Sequence, residues 1–276
     1  MNDNKEYDVR ILKKLHQVQL EILDEFKRIC EKNNLTYYLV GGTFLGAVRH
    51  SGFIPWDDDI DVGMPRRDYE EFIKCAKTDL KKKYFLDCFL TNKNYYLPYA
   101  KIKKNGTIFD EANVHHLDNH KGIFIDIFPF DNVPKNNFEL KLRAIIAFSI
   151  TDAMAYKYKI KSFKKLMHPV ISLGLCMFPK KWLMNLQKKI VTYCHNDNSK
   201  YMCDIGAGYG YRKELILREE MLPVRKMKFE NREYCVPKTD SHLKKLYGNY
   251  LELPPKDKRK THSPMSIKFG DKDEYI

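Results

Sequence analysis

Apolar residues recur at the helical period early in the chain and alternate with polar residues in several shorter stretches after it. The periodic positions between Tyr7 and Asn33 predict an amphipathic helix ended by "EKNN"; they are Ile11, Leu12, Leu15, Val18, Ile22, Leu23, Phe26 and Ile29. "LTYYLV" then predicts a short strand, Gly41-Gly42 a break, and "TFLGAVRH" a helix beginning at Thr43. Further strands are predicted at "DDDIDVGM", "YFLDCFL", "YAKIKK", "TIFDEA" and "GIFIDIFPF". The opening 130 residues are therefore expected to be mixed α/β.

The pattern changes near Asn136, where Leu, Ile, Phe, Met and Lys recur at helical spacing as far as about His195, with Pro169 and Pro179 as breakers. "FENREYCVP" and "SHLKKLYGNYLELPP" then predict a strand and a short helix. We expect an α/β (α+β) fold in three parts: a core over residues 1–135, a helical insert over 136–200, and a C-terminal part, 201–276, that completes the core and the substrate site.

Composition narrows the kind of protein. The 276 residues are 43% hydrophobic, which excludes disorder, and the net charge of +13 favours phosphorylated or polyanionic partners or an anionic membrane surface. The seven cysteines include no Cys-x-x-Cys pair, which favours reduced thiols over a disulfide framework or a structural zinc site. The N-terminus lacks the apolar region of a signal peptide, and "PVISLGLCMF" is about half the length of a spanning helix. A cytoplasmic protein is expected.

The acidic run in "DDDIDVGM" is the first candidate for chemistry. On an extended chain Asp59 and Asp61 lie on one face, while Ile60 and Val62 lie on the other and can be buried. Two carboxylates about 7 Å apart can converge on one hard cation or hold two. The alternative interpretation is a solvated acidic loop.

A further aspartate lies in a strand that is apolar on both faces, "GIFIDIFPFD". Burying the Asp126 carboxylate there costs several kcal/mol unless it is paired or bound to metal. A Lys or Arg partner would satisfy it, but together with Asp59 and Asp61 a metal is the stronger explanation.

The glycine pair suggests a phosphate site. Gly41-Gly42 lets the backbone approach a ligand closely, and a helix starting near Thr43 offers N–H groups and a hydroxyl to phosphate oxygens. A glycine pair alone is as often a simple turn. Followed by Asp-x-Asp about 16 residues later and by a third Asp on a later strand, it is typical of a nucleotidyltransferase-fold site.

Long blocks of the sequence resemble the LicD family of phosphocholine transferases, which is related to the fukutin-type ribitol-phosphate transferases. The blocks are "YYLVGGTFLGAVRHSGFIPWDDDIDVGMPRRDYEEF", "YAKIKKNGT", "IDIFPFDNVP" and "YGNYLELPPKDKRKTH". The resemblance implies a nucleotidyltransferase-like fold and transfer of a phosphorylated alcohol from a CDP donor, typically CDP-choline, to a hydroxyl of lipopolysaccharide, teichoic acid or capsule. It implies that Mg²⁺ (or Mn²⁺) is held by Asp59, Asp61 and Asp126 and that CMP is released, with a glycan acceptor that is usually lipid-linked.

Other residues are candidates for binding substrate. Lys101 and Lys103 share a strand face where they could hold donor phosphates, and Arg49 ends the GGT helix; solvent-facing side chains are the alternative. Arg259 and His262 resemble the terminal basic motif of the family. Trp56 is the aromatic placed best for a choline ammonium, although core packing is the more common role of such a residue.

Two further interpretations concern partners. "HPVISLGLCMFPKKWL" would lie on a membrane surface with its flanking lysines at head groups, or else form an ordinary buried helix. A metal-dependent glycosyltransferase and a basic polyanion-binding module are the rival functions. The glycosyltransferase would not need the GG-T turn or a buried third Asp. The binding module should concentrate its lysines on one face, whereas here they are spread along the chain. Nucleic acid is therefore not expected as a partner.

Overall fold

In the computed structural model the described residues are 8–133, 136–160, 169–194, 199–205, 211–259, 261–262, 264–270 and 273–275. The helices are α1 Val9–Lys32, α2 Gly41–His50, α3 Arg66–Asp79, α4 Asn137–Lys157, α5 Pro169–Leu175, α6 Lys180–Val191, α7 Tyr211–Glu214, α8 Arg218–Met221 and α9 Ser241–Tyr247. The strands are β1 Tyr38–Leu39, β2 Asp61–Pro65, β3 Tyr84–Asp87, β4 Ala100–Lys104, β5 Ile108–Asp110, β6 Phe124–Asn132, β7 Tyr201–Cys203, β8 Ile216–Leu217, β9 Arg225–Phe229, β10 Arg232–Val236, β11 Ser266–Gly270 and β12 Asp273–Tyr275. The α/β class is confirmed.

Helix α1 forms where the apolar period predicts it. The Asp8 side chain accepts a hydrogen bond from the Arg10 N–H and caps the first turn, and the helix ends at Lys32. Its apolar stripe, Leu15 and Ile22 among it, is buried in the main core with the residues of β2, β4 and β6. The helix therefore packs its apolar face against the central sheet.

The central sheet has the order β1-β2-β6-β4-β3, and β7 and β8 extend it from the far end of β6. Strands β2 and β6 are parallel, while β1, β4 and β3 join in antiparallel pairs. The register pairs Asp61 with Asp126 across β2 and β6, and Lys101 with Asp126 across β4 and β6. Three predicted site residues are thus neighbours at the middle of the sheet.

Helices α4, α5 and α6 occupy the stretch predicted to be helical. The two predicted breakers lie where helices start: α5 begins at Pro169, and Pro179 directly precedes α6. The Gln187 amide of α6 donates to the Ala147 carbonyl of α4, which joins the two helices. Among the helices in the described part of the chain, none combines the length and the apolar composition that a membrane span requires.

The C-terminal elements join the same core as the first part of the chain. Phe229 and Tyr234 of the β9–β10 hairpin are fully buried with the residues of α1 and the sheet, and Ile267 on β11, which pairs with β5, is buried with them. One predicted boundary differs, since α2 begins at Gly41 rather than at Thr43. The three-part division of the chain stays a prediction.

Candidate functional site

The acidic stretch between α2 and β2 is extended before the regular strand begins at Asp61. Its burial alternates as predicted: Asp58, Ile60 and Val62 are buried, whereas Asp57, Asp59 and Asp61 are half-buried. Carboxylate oxygens of Asp57, Asp58 and Asp59 lie within 4.8 Å of one another, and such a group can hold a metal ion. Sequence reasoning selected Asp59 and Asp61 from this run and did not assign Asp57 or Asp58 to the metal.

Two side chains of helix α1 hydrogen-bond the backbone of the acidic stretch. The His16 Nε2 donates to the Asp57 carbonyl at 2.8 Å, and the Gln19 amide donates to the Asp58 carbonyl at 2.7 Å. Gln19 is buried, so this bond also satisfies a polar group inside the core. Neither His16 nor Gln19 was predicted from the sequence, although a polar Gln19 within an otherwise apolar helix face was a signal for this contact.

The glycine pair makes room for two carboxylates at the start of α2. A Cβ on Gly41 would lie 2.9 Å from the Asp61 Oδ2, and a Cβ on Gly42 would lie 2.7 Å from the Asp57 Oδ2. Gly41 also has φ +56°, which favours glycine. The first turn of α2 and the aspartates are therefore in contact only because these two positions lack side chains.

Thr43 connects the same helix to β2. Its Oγ1 accepts a hydrogen bond of 2.8 Å from the Asp61 backbone N–H, and its side chain is buried. The predicted hydroxyl ligand for phosphate thus has a positioning contact with Asp61.

The two lysines of β4 both form ion pairs. Lys101 Nζ lies 2.9 Å from the Asp126 Oδ1, so the buried aspartate has the basic partner that the sequence left open as an alternative to metal. Lys103 Nζ lies 2.7 Å from the Asp87 Oδ2 and donates to the His120 carbonyl at 2.6 Å. Lys101 is thereby part of the aspartate cluster, whereas Lys103 is held by a separate carboxylate.

The C-terminal segment folds over the acidic stretch. The backbone N–H of His262 donates to the Asp58 Oδ2 at 2.8 Å, its Nδ1 bonds Asp58 Oδ1 at 2.9 Å, and its Nε2 lies 3.8 Å from Asp59 Oδ2. The Arg259 guanidinium lies 4.1 Å from the centroid of the Trp56 ring. Two predicted substrate-binding residues thus contact residues of the acidic stretch or its immediate neighbour.

Arg49 contacts the segment that leads to these residues. Its Nη1 donates to the carbonyls of Tyr250 at 2.8 Å and Glu252 at 3.1 Å. In this arrangement Arg49 holds the C-terminal segment against the end of α2.

The cluster carries excess negative charge. Burial raises the pKa of Asp57 and Asp61 well above the usual range, and the charge of Asp59 raises both further. Burial also raises the pKa of Asp59 and Asp126, although His262 opposes the shift of the first and Lys101 that of the second. The two cations therefore do not neutralise the group.

The aspartate cluster also shifts the pKa of His262. Burial by itself lowers the pKa of His262, but its hydrogen bond to Asp58 and the charges of Asp59 and Asp58 outweigh burial and raise that pKa well above the usual value. Glu111, which directly follows β5, adds negative charge that raises the pKa of both His262 and Asp126. Sequence reasoning missed Glu111. Oxygen-only donors with excess negative charge fit a hard divalent cation such as Mg²⁺.

A cavity of about 690 Å³ opens beside the acidic stretch. Trp56, Phe53 and apolar residues of α1 line it, together with the charged residues Lys13, Lys256, Arg259 and Glu230. The cavity thus combines aromatic side chains with three cationic side chains and one anionic side chain, which suits an anionic organic molecule.

Comparison with known proteins gives matches through most of the chain. Residues 34–188 match the family described as LicD/FKTN/FKRP, nucleotidyltransferase domain. The chain is 31% identical over 264 residues to the lipopolysaccharide cholinephosphotransferase LicD of Haemophilus influenzae, across 91% of this chain and 95% of that protein.

Two shorter similarities accompany it. An uncharacterized protein of Rickettsia typhi is 41% identical over 68 residues, 25% of this chain and 21% of its own length. The human ribitol 5-phosphate transferase FKRP is 47% identical over 36 residues, 13% of this chain and 7% of its own length.

Proposed function

Since the chain belongs to the LicD/FKTN/FKRP nucleotidyltransferase family, we propose that it transfers phosphocholine from CDP-choline to a sugar hydroxyl of a cell-surface glycan and releases CMP. The observation that carries the proposal is the packing of the Asp57 and Asp61 carboxylates against Gly42 and Gly41 at the start of α2. The name of the Haemophilus relative supports phosphocholine as the group and lipopolysaccharide as the acceptor. Teichoic acid and capsule precursors offer the same kind of hydroxyl.

We propose that Mg²⁺ (or Mn²⁺) is held by Asp59, Asp61 and Asp126, of which Asp61 and Asp126 are neighbours in the sheet register. Asp59 also lies within 4.8 Å of Asp57 and Asp58, so these two carboxylates are additional candidate ligands. The metal would neutralise charge on the donor diphosphate and on the leaving phosphate. The raised pKa of the aspartates supports this assignment, because a divalent cation relieves the repulsion among them.

The protein's own groups then orient the reactants. The N–H groups of Gly42 and Thr43 in the first turn of α2 are suited to bind a donor phosphate. The acceptor hydroxyl attacks the phosphocholine phosphorus as the bond to the CMP oxygen breaks, and a carboxylate of the cluster takes the hydroxyl proton. Asp59, which the His262 charge faces from 3.8 Å, is our candidate for that carboxylate.

Choline recognition is assigned to Trp56 with one restriction. Arg259 already lies over one face of the ring, so we propose that the ammonium group contacts the other face. Tyr99 is a second aromatic at the site, since the Lys101 Nζ lies 6.0 Å from its ring centroid.

A related CDP-alcohol is the second candidate donor, because the FKRP similarity connects the chain to a ribitol 5-phosphate transferase. The test incubates the purified chain and Mg²⁺ with CDP-choline, CDP-ethanolamine, CDP-ribitol and UDP-glucose in turn, each with a lipopolysaccharide acceptor. We expect CMP from CDP-choline above all. CMP from CDP-ribitol alone would replace phosphocholine by ribitol phosphate, and UDP from UDP-glucose alone would contradict the proposed reaction class.

We also propose that the chain acts on the cytoplasmic side, where CDP-alcohols are available. The seven cysteines, all described, are free, as expected of that compartment. Fractionation of the native cells, with antibody detection of the full chain in the cytoplasmic and membrane fractions, checks this. Recovery in an exported fraction would contradict it.

A further inference from the structure

Helix α5 and the turn after it expose a set of large apolar side chains. We call this set the α5 face: it comprises Val170, Ile171, Leu173, Met177, Phe178 and Trp182. Val170 is 83% exposed and Met177 89% exposed. The rings of Phe178 and Trp182 stack with centroids 4.4 Å apart, so the two aromatic side chains form one continuous part of this surface.

Helix α5 packs only part of its apolar surface against the rest of the protein. On its inward side Ser172 is buried and Leu175 packs against the cluster that contains Met154 of α4. In the turn after the helix, the Cys176 S–H donates to the Ala153 carbonyl of α4 at 3.4 Å. On the outward side Val170 and Leu173 are exposed three residues apart on α5, and Met177 is exposed in the turn that follows the helix. The described part of this stretch is therefore not a fully buried helix. A contiguous exposed apolar surface of this kind marks a binding site.

The segment of the sequence that carries this face is strongly basic. Residues 136–200 contain twelve Lys and Arg against three Asp and Glu, which accounts for +9 of the total charge of +13. Lys157, whose Nζ contacts the Phe178 carbonyl, and the α6 residues Lys181 and Lys189 are exposed. An apolar face flanked by cations matches the surface region of an anionic membrane, where lipid phosphates lie next to the acyl chains of the same leaflet.

We propose that the α5 face inserts into the boundary between head groups and acyl chains of an anionic membrane, with the lysines of α4 and α6 on lipid phosphates. Helix α5 has seven residues, so it lies in the surface and does not cross it. A second copy of the chain fits this face less well, because two such surfaces would bring their lysines together. Membrane docking is a property separate from the proposed transfer reaction.

Vesicle sedimentation of the full chain tests the proposal without donor or acceptor. Vesicles of phosphatidylethanolamine with phosphatidylglycerol should sediment the wild-type chain. The double variant Met177→Ser with Val170→Ser should bind at least about tenfold more weakly. Each substitution removes most of the apolar side-chain area that would be buried in the membrane on docking. The matched control is Met265→Ser, which changes a methionine 48% exposed on another part of the chain and should bind as the wild type does. Equal binding by the α5 variant and the control would overturn the proposal.

The charge component has its own control. Lys181→Glu with Lys189→Glu should weaken binding several-fold at low salt, whereas Lys244→Glu, an exposed lysine of α9, should not. Binding should be weaker on phosphatidylcholine vesicles. If the wild-type chain ignores vesicles while Met177→Ser converts a dimer into a monomer by sedimentation velocity, the face binds a second copy and the proposal is wrong. Asp61→Asn should sediment like the wild type, so failure of docking and failure of catalysis remain distinguishable.

Discussion

Asp61 on β2 lies directly opposite Asp126 on the parallel strand β6. Two carboxylates in neighbouring register positions repel each other. Burial and the charge of Asp59 raise the pKa of Asp61, and the charge of Asp126 raises it further. A protein that needed only stability would not place them together. Lys101 pairs with Asp126, and the metal ion that we propose would relieve the remaining repulsion between the two carboxylates.

The contact between Gly42 and Asp57 predicts a loss of activity with little loss of stability. In Gly42→Ala the new Cβ would meet the end of the Asp57 side chain, which can move, so the fold survives but the carboxylate is displaced. We expect transferase activity to fall about 100-fold. The control is Gly174→Ala, where a Cβ would meet nothing within 4 Å. Initial rates and thermal unfolding of both variants check this; near wild-type activity in Gly42→Ala would show that the glycine only makes a turn.

The Lys101–Asp126 ion pair predicts a coupled effect on stability. Removing one partner leaves a buried charge unpaired, so Lys101→Met or Asp126→Asn should each destabilise the chain by about 3–5 kcal/mol in the presence of a chelator. The pairing is the alternative to metal that the sequence left open for Asp126. Replacing both residues at once should recover part of the loss, as measured by urea unfolding. Additive losses would mean that the two charges do not interact.

The sequence predicted the local geometry of the acidic stretch well, because the alternation of Asp58, Ile60 and Val62 with their neighbours is a property of any extended chain. It also placed Asp126 on a buried strand. It did not identify Lys101 as the partner of Asp126, because that depends on the register of β4 beside β6. The bond between His262 and Asp58 joins residues 204 apart in the chain, and no local pattern encodes such a contact.

The stacking of Arg259 on Trp56 predicts that a Trp56 substitution affects the binding of CDP-choline and of CMP to different extents. Trp56→Leu removes an aromatic face and also the platform for Arg259, so binding of CDP-choline should weaken more than binding of CMP. The expected difference is about 0.5–2 kcal/mol by titration calorimetry. Equal losses for CDP-choline and CMP would show that Trp56 only packs against Arg259.

Glu25 of α1 accepts hydrogen bonds from the Arg28 side chain and the Lys81 backbone N–H, and these bonds predict a pH dependence of the free energy of unfolding. Burial alone would raise the pKa of Glu25, but hydrogen bonds from Arg28 and Lys81 outweigh it and lower that pKa from 4.5 to about 2. Because the folded pKa is the lower one, the stabilisation is fully present above about pH 4.5 and is lost as the pH falls through about 2. Glu25→Gln should therefore destabilise the chain at pH 7 by about 1–3 kcal/mol and have little effect near pH 2. Glu71→Gln, at an exposed position of α3, is the control, and a pH-independent difference for Glu25→Gln would contradict the account.

The central claim is that the aspartate cluster supports metal-dependent transfer of phosphocholine. The direct measurement uses CDP-choline labelled in its phosphocholine group, a lipopolysaccharide acceptor and the full chain, and follows label in the glycan together with CMP. We predict transfer by the wild type with Mg²⁺, its loss with a chelator, and a loss of at least about 1,000-fold in Asp61→Asn, whereas Asp118→Asn, an exposed aspartate outside the cluster, retains full activity. Undiminished transfer by Asp61→Asn, or equal transfer with and without chelator, would contradict the claim.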